Sequence, residues 1–270
     1  MTTRSLPRTK SASRLAPPSA RWNPAEYAAN SSVQQTWARE LIDKLELRGD
    51  EHVLDVGCGD GKITAEIAKA VPRGSATGMD ASPPMIEFAK KTFPPSKFPN
   101  LRFRAMDARE IRFERKFDLL FSNAALHWVD DHQAFLRGAA SVLKPGGRLV
   151  VSCGGKGNAQ DVFVSLRPEM RLKRWRGFFR RLPTPYFFHA PSEYERWLPK
   201  AGFETLRVKL VPKDATYAGA KGFAAWLRTT WMPYVQRVPD DQREEFIAAV
   251  VQRYLAKHPI GSDGKVHVKM

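Results

Sequence analysis

A chain of 270 residues with 43% hydrophobic content carries enough apolar side chain for one sizeable core, and it contains no apolar run near the roughly 18 residues that a membrane-spanning helix needs. Its two cysteines, Cys58 and Cys153, cannot build a disulfide framework or a four-ligand zinc site, so a soluble protein of a reducing compartment without a structural metal is expected. The net charge of +16 is concentrated in two segments, one at the N-terminus and one over 167–181.

In chain order, residues 1–21 hold Arg4, Arg8, Lys10, Arg14 and Arg21 among Ser, Pro and Ala, with no acid before Glu26. That composition predicts a disordered basic tail. Its Arg-rich, Ser-rich character also matches a transit peptide, although Pro7, Pro17 and Pro18 argue against a long amphipathic helix. A cytoplasmic location is expected, with a plastid or mitochondrion as the alternative if the tail is a targeting segment. Apolar residues at Val33, Trp37, Leu41, Ile42 and Leu45 predict a helix over Val33–Leu47. Strands are then predicted at His52–Val56, Ser75–Met79, Leu101–Ala105, Phe117–Ser122 and Arg148–Cys153. Helices are predicted at Lys62–Val71, Pro83–Phe93 and about Asp131–Leu143, with Pro145-Gly146-Gly147 as the turn into the fifth strand. Such alternation implies a parallel sheet with helices on both faces. Beyond Cys153, a basic and aromatic insertion (about 155–190) precedes a helix at Ser192–Ala201 and a sixth strand at Phe203–Val211. A second helical insertion (213–258) and a last strand, Lys265–Val268, complete an expected α/β, seven-stranded, mostly parallel Rossmann-like sheet.

The segment Val53-Leu54-Asp55-Val56-Gly57-Cys58-Gly59-Asp60-Gly61 ends a predicted strand and opens a predicted helix. There a glycine-rich turn lets backbone approach a ligand closely and presents helix N-terminal amides to it. Lys62 stands where a dinucleotide-binding turn has its third glycine, which disfavours NAD. Asp55, two residues before Gly57, suits a ligand whose near end carries an ammonium better than a pyrophosphate. Asp80 ends the second strand, where a carboxylate can accept from both hydroxyls of a ribose, or cap the helix near Pro83. Asp107 follows the third strand and can accept from an adenine amino group, or lie in a solvated loop. Three acids at consecutive strand ends fall where open α/β sheets bind ligands.

These residues resemble class I methyltransferases, and within them small-molecule carboxyl methyltransferases such as the trans-aconitate and juvenile hormone acid methyltransferases. The resemblance runs from about Trp22 to the C-terminus. It is carried by the stretch Leu54 to Gly61, Gly78-Met79-Asp80-Ala81-Ser82, Met85-Ile86, Asp107-Ala108, Leu126-His127-Trp128-Val129 and Leu143-Lys144-Pro145-Gly146-Gly147. It implies S-adenosylmethionine as cofactor. Asp55, Gly57 and Asn123 would lie at its methionine end, with Gly59 and Gly61 in the same turn. Asp80 would hold the ribose, Ala81 would face the adenine, and Asp107 with Ala108 would read the adenine amino edge. It further implies that Gln34 (Gln35 if the register differs by one) and Trp128 hold an acceptor carboxylate, and His127 is a possible base or a packed structural residue. A carboxylate is ionised at neutral pH and needs no general base. The aromatic segments Phe163–Phe188 and Phe223–Tyr234 would cover the acceptor as a lid. The resemblance leads one to expect a final strand longer than Lys265–Val268, leaving the last sheet edge incomplete or the chain shortened.

The second basic segment carries Arg167, Arg171, Lys173, Arg174, Arg176, Arg180 and Arg181 against Glu169, interleaved with Trp175, Phe178 and Phe179. It reads as an amphipathic helix with solvated charges, or as a contact for anionic lipid, nucleic acid or an acidic protein. An RNA methyltransferase would use it for phosphate contacts, and a methyltransferase acting on a carrier-bound acyl group would use it for docking. Against the first, the fourth strand ends in Asn123-Ala124-Ala125-Leu126, unlike the Asn-Pro-Pro-aromatic run of amino-methylating nucleic-acid enzymes. A small carboxylic acid acceptor, no metal, and a monomer or weak dimer are expected.

Overall fold

The computed structural model describes residues 22–270. The expectations for the basic tail and its targeting role fall on 1–21, outside the described residues. Two helices, α1 (Pro24–Asn30) and α2 (Ser32–Ile42), precede the first strand. Asn23 caps α1 by accepting from the Glu26 N–H at 3.2 Å, with Pro24 at the first helical position, a common helix-start pair. There follow β1 (His52–Val56), α3 (Lys62–Ala70), β2 (Ser75–Asp80), α4 (Pro83–Thr92), β3 (Leu101–Ala105), β4 (Phe117–Asn123), α5 (His132–Val142) and β5 (Leu143–Ser152).

The five strands are parallel in the order β3-β2-β1-β4-β5. The chain builds outward from β1 through β2 to β3, then crosses back to place β4 on the other side of β1. A crevice therefore opens beyond the C-terminal ends of β1 and β4, the topological switch point. Alternating residues of β1 and β4 serve opposite faces: Val53, Leu119 and Phe121 pack with Ala65, Ile67 and Ala68 of α3, whereas Leu54, Val56 and Leu120 pack with Phe135, Leu136 and Ala139 of α5. The expected Pro145-Gly146-Gly147 turn is an irregularity inside β5, where the pairing jumps from Phe117–Leu143 to Leu119–Arg148.

After β5 come α6 (Gln160–Arg171), α7 (Pro191–Lys200), β6 (Asp214–Ala218), α8 (Gly219–Thr230), α9 (Met232–Val235), α10 (Asp240–Leu255) and β7 (Lys265–Lys269). The expected sixth strand at Phe203–Val211 does not form, and the sheet has five strands rather than seven. That segment alternates, but only its start, Phe203, packs against a sheet core; Leu206 is 87% exposed and Leu210 and Val211 about half exposed, so the rest has no layer over its apolar side. Instead β6 pairs antiparallel with β7 as a separate ribbon. Its alternate residues Ala215, Tyr217, Val266 and Val268 are buried in a third core with Trp175, Phe223, Trp226, Phe246 and Tyr254. Residues of both segments expected as insertions thus share one aromatic-rich cap core. The N-terminal helix ends at Ile42, short of Leu47, and the helix expected through the basic segment stops at Arg171.

Candidate active site

The site grows from the turn after β1. Gly57 has φ +78°, and a Cβ there would lie 2.1 Å from the Cβ of Ala125, so the backbone must be bare for the turns after β1 and β4 to meet. Ala124, beside this contact, is itself left-handed at φ 54°, a conformation uncommon for alanine that clusters at functional turns. Nothing in the sequence marks it. Gly61 caps α3 at φ +81°, where a Cβ would strike Phe103 and Ala89. The turn is pinned by Gly57 and Cys58 N–H groups donating to the Met79 carbonyl at 2.8 and 3.0 Å. The Gly59 N–H donates to Asp80 Oδ2 at 3.0 Å.

Carboxylates surround this turn. Asp55 is 3% exposed and accepts from the Thr64 hydroxyl at 2.6 Å. Burial, with the Asp80 charge adding, pushes its carboxyl up to about 7 against the hydroxyl bond. Burial likewise raises Asp80, although the Ser82 and Gly59 N–H groups oppose it. One buried and one half-buried acid, both held above their ordinary range, thus face the turn without a cation beside them. Asp107 differs: burial would raise it, but the Arg109 guanidinium, 2.6 Å away, outweighs burial and holds it low. Arg109 also reaches Asp130 at 3.0 Å, so Asp107 belongs to a surface ion-pair cluster at the end of β3. Ala108 opens a single 3₁₀ turn there, and Ala81 is exposed after β2.

Asp55, Gly57, Asn123 and Gln34 line one narrow cavity of about 40 Å³, together with Tyr27, Ser31 and Gln35. Asn123 Nδ2 donates to the Gln34 carbonyl at 3.1 Å, fixing α2 over the end of β4. The Gln34 Oε1 atom is buried and accepts from no described residue. Lys62 donates to the Ala28 carbonyl at 2.6 Å and stands 3.3 Å from Asp60, tying α1 to the glycine turn. Tyr27 approaches Gly59, and its phenol is raised by burial and by the Asp60 and Asp80 charges. Sequence reasoning missed α1 and Tyr27; Asn23-Pro24-x-Glu26 was the available signal. A wider, shallow groove of about 660 Å³ lies among Arg104, Ile111, Phe113 and Val142. It holds neither the glycine turn nor Asp55, Asp80 or Asp107, so the narrow cavity is the chemically equipped one.

Trp128 and His127 lie outside that cavity's lining, in an aromatic wall. Trp128 meets Trp22 and Tyr186 edge-on, with centroids 5.2 and 4.9 Å apart. His127 Nδ1 accepts from the Gly154 N–H at 3.3 Å, and burial, then the charge of His132, pushes its imidazole down to about 4. At neutral pH it is an uncharged ring packed near Trp128, Tyr186 and Phe188. No group of three or more metal-ligating side chains occurs among the described residues, and none of their helices is long and apolar enough to cross a membrane.

The arrangement fits a ligand with an ammonium at one end and a ribose at the other. The bare backbone of Gly57 lets the turns after β1 and β4 close together, and the buried Asp55 and half-buried Asp80 have no cationic partner among the described residues. Residues 53–147 match the model of a methyltransferase domain. The chain is 30% identical over 254 residues to the uncharacterized methyltransferase C70.08c of Schizosaccharomyces pombe, covering 90% of this chain and 92% of that protein. It is 28% identical over 242 residues to the trans-aconitate 2-methyltransferase of Deinococcus radiodurans, covering 88% and 92%. Among solved structures, the YcgJ protein of Bacillus subtilis shares the fold at a TM-score of 0.58 and 20% identity, covering 87% of this chain and 95% of that one. The glycine turn, the strand-end acids and these full-length likenesses agree: the chain belongs to the class I S-adenosylmethionine-dependent methyltransferases.

Proposed function

We propose that this methyltransferase acts on a carboxylate oxygen of a small acid, giving a methyl ester. The observation that carries the reading is the amide end of Gln34, buried in the strand-end cavity with an atom that no described residue satisfies. A buried polar end without a partner is costly unless a ligand completes it. Amide oxygen and nitrogen exchange by a half-turn, so the same end presents N–H to a carboxylate. The trans-aconitate 2-methyltransferase likeness supports the same acceptor class.

Bound S-adenosylmethionine supplies a methyl group already activated on sulfonium. Asp55 and Asp80 would hold the cofactor's ammonium and ribose, and Asn123 would line the methionine end. Gln34 would orient the acceptor, and the indole N–H of Trp128 would reach the same carboxylate from the aromatic wall. Trp22, Tyr186 and Phe188, packed in the same wall, would exclude water beside it. No proton has to move, which suits a site where His127 is already occupied by the Gly154 N–H. The test is incubation with S-adenosylmethionine and a panel of mono-, di- and tricarboxylic acids, with methyl esters read by mass spectrometry. Ester formation is expected, with Gln34→Ala and Trp128→Phe raising KM for the acid while affinity for S-adenosylhomocysteine stays unchanged. Transfer to amines or RNA, with no acid esterified, would overturn the reading.

A further inference from the structure

The cap carries a second feature that methyl transfer does not use. Between Arg167 and Arg181 seven cations face a single acid, Glu169. Glu169 is buried and bound by Arg253 at 2.6 Å, so it neutralises none of the seven. Arg174 pairs with Glu245 at 2.5 Å. Arg171, Lys173, Arg176, Arg180 and Arg181 are exposed and form no ion pair with any described residue.

Packing fixes how these cations are presented. Trp175 is 1% exposed, and both it and Phe179 lie against Phe246, with centroids 5.5 and 5.3 Å apart. Phe178 joins the same core. Successive turns are closed by the Trp175 N–H on the Leu172 carbonyl at 2.9 Å and the Phe178 N–H on the Trp175 carbonyl at 3.0 Å. With Trp175, Phe178 and Phe179 packed against the cap core, the exposed basic side chains are left on the solvent side of this segment. Leu172 and Val164, 39% and 41% exposed, stand among them. On α6, Phe163, Arg167 and Arg171 follow at four-residue spacing along one stripe. The Arg167 guanidinium lies 5.5 Å from the Phe163 ring, and Phe163 touches the aromatic wall at Trp231. The basic face is therefore continuous with the acceptor side of the cap.

We propose that this face, residues 164–181, seats on an anionic phospholipid bilayer. Cations grouped around exposed aliphatic side chains match a headgroup layer, which takes charge at its surface and apolar groups just beneath. Single-stranded nucleic acid would need exposed aromatic platforms, and here the aromatics are committed to the core. The inference is independent of which acceptor is methylated.

The test is flotation of the full chain with phosphatidylcholine vesicles, with and without phosphatidylglycerol, at low and high salt. Binding is expected only with phosphatidylglycerol and is lost at high salt. Each cation near an anionic leaflet strengthens binding roughly fivefold, so the variant Arg171→Glu, Lys173→Glu, Arg176→Glu, Arg180→Glu is expected to lose at least about a hundredfold. Its melting temperature and affinity for S-adenosylhomocysteine should match the wild type, showing that it folds. A second variant with Arg4, Arg8, Lys10, Arg14 and Arg21 changed to Gln is expected to keep most of the binding. Equal binding to neutral vesicles, retention of binding by the Glu variant, loss confined to the Gln variant, or binding of an oligonucleotide with no binding of vesicles would each overturn the proposal.

Discussion

Replacing Asp55 with Asn is expected to make the ligand-free protein more stable above neutral pH while weakening its hold on the cofactor. In the folded chain the Asp55 carboxyl sits at about 7 instead of 3.8, with burial as the largest cause. A folded value above the unfolded one means that the folded state keeps a proton that the unfolded state has lost. Stability therefore falls as pH rises through the window from 3.8 to about 7. The full rise corresponds to at most about 4 kcal/mol. Asn is isosteric, still accepts from the Thr64 hydroxyl, and has no charge to bury. For a chain of this size about 2 °C accompanies each kcal/mol, so Asp55→Asn should melt up to about 8 °C above the wild type near pH 8 and level with it near pH 4. Comparing the two proteins at each pH cancels the titrations of groups remote from Asp55. Calorimetric titration of S-adenosylhomocysteine at the same pH values supplies the second half. Affinity should climb through about pH 7 in the wild type as Asp55 ionises, and stay low and flat in the variant. A variant that melts below the wild type near pH 8, or a gap that ignores pH, would refute the reasoning.

Other expectations follow from single contacts. Thr64→Val removes the hydroxyl bond that holds Asp55 down, so the pH at which cofactor binding sets in should move upward in the same titration. Gly57→Ala places a methyl group 2.1 Å from Ala125 at a positive φ; a loss of at least about 2 kcal/mol in denaturant melts is expected, with cofactor binding abolished. Trp175→Ala empties part of a cap core that shares no buried residue with the two sheet cores. It should cost about 3–5 kcal/mol while leaving affinity for S-adenosylhomocysteine intact in protein that remains folded.

The parallel sheet was readable because its strands are short apolar runs set off by helices of 3.6-residue period, and the glycine turn after β1 because close backbone approach demands glycine. Asp55 and Gly57, read from the glycine turn, and Asn123 and Gln34, named from the resemblance, line one cavity. What stayed hidden depended on long-range contact. Phe203–Val211 alternates like a strand, yet it finds no partner strand, and beyond Phe203 its Leu206, Leu210 and Val211 stay exposed, while Asp214–Ala218 gains both a partner and a buried face. The sequence could not show that the ring of Trp128, expected beside the acceptor, packs between Trp22 and Tyr186. The left-handed Ala124 has no local signature, because the Gly57–Ala125 approach imposes it from across the crevice. The basic segment was expected as an amphipathic helix with solvated charges; its charges are exposed, but largely on turns after α6 ends at Arg171.

The account rests on the strand-end carboxylates holding S-adenosylmethionine, and calorimetric titration of S-adenosylhomocysteine into the wild type and Asp80→Ala tests that most directly. Tight binding by the wild type and at least roughly tenfold weaker binding by the variant is predicted, since the variant loses hydrogen bonds to a charged acceptor. Equal affinity in the two proteins, or no binding by the folded wild type, would contradict it.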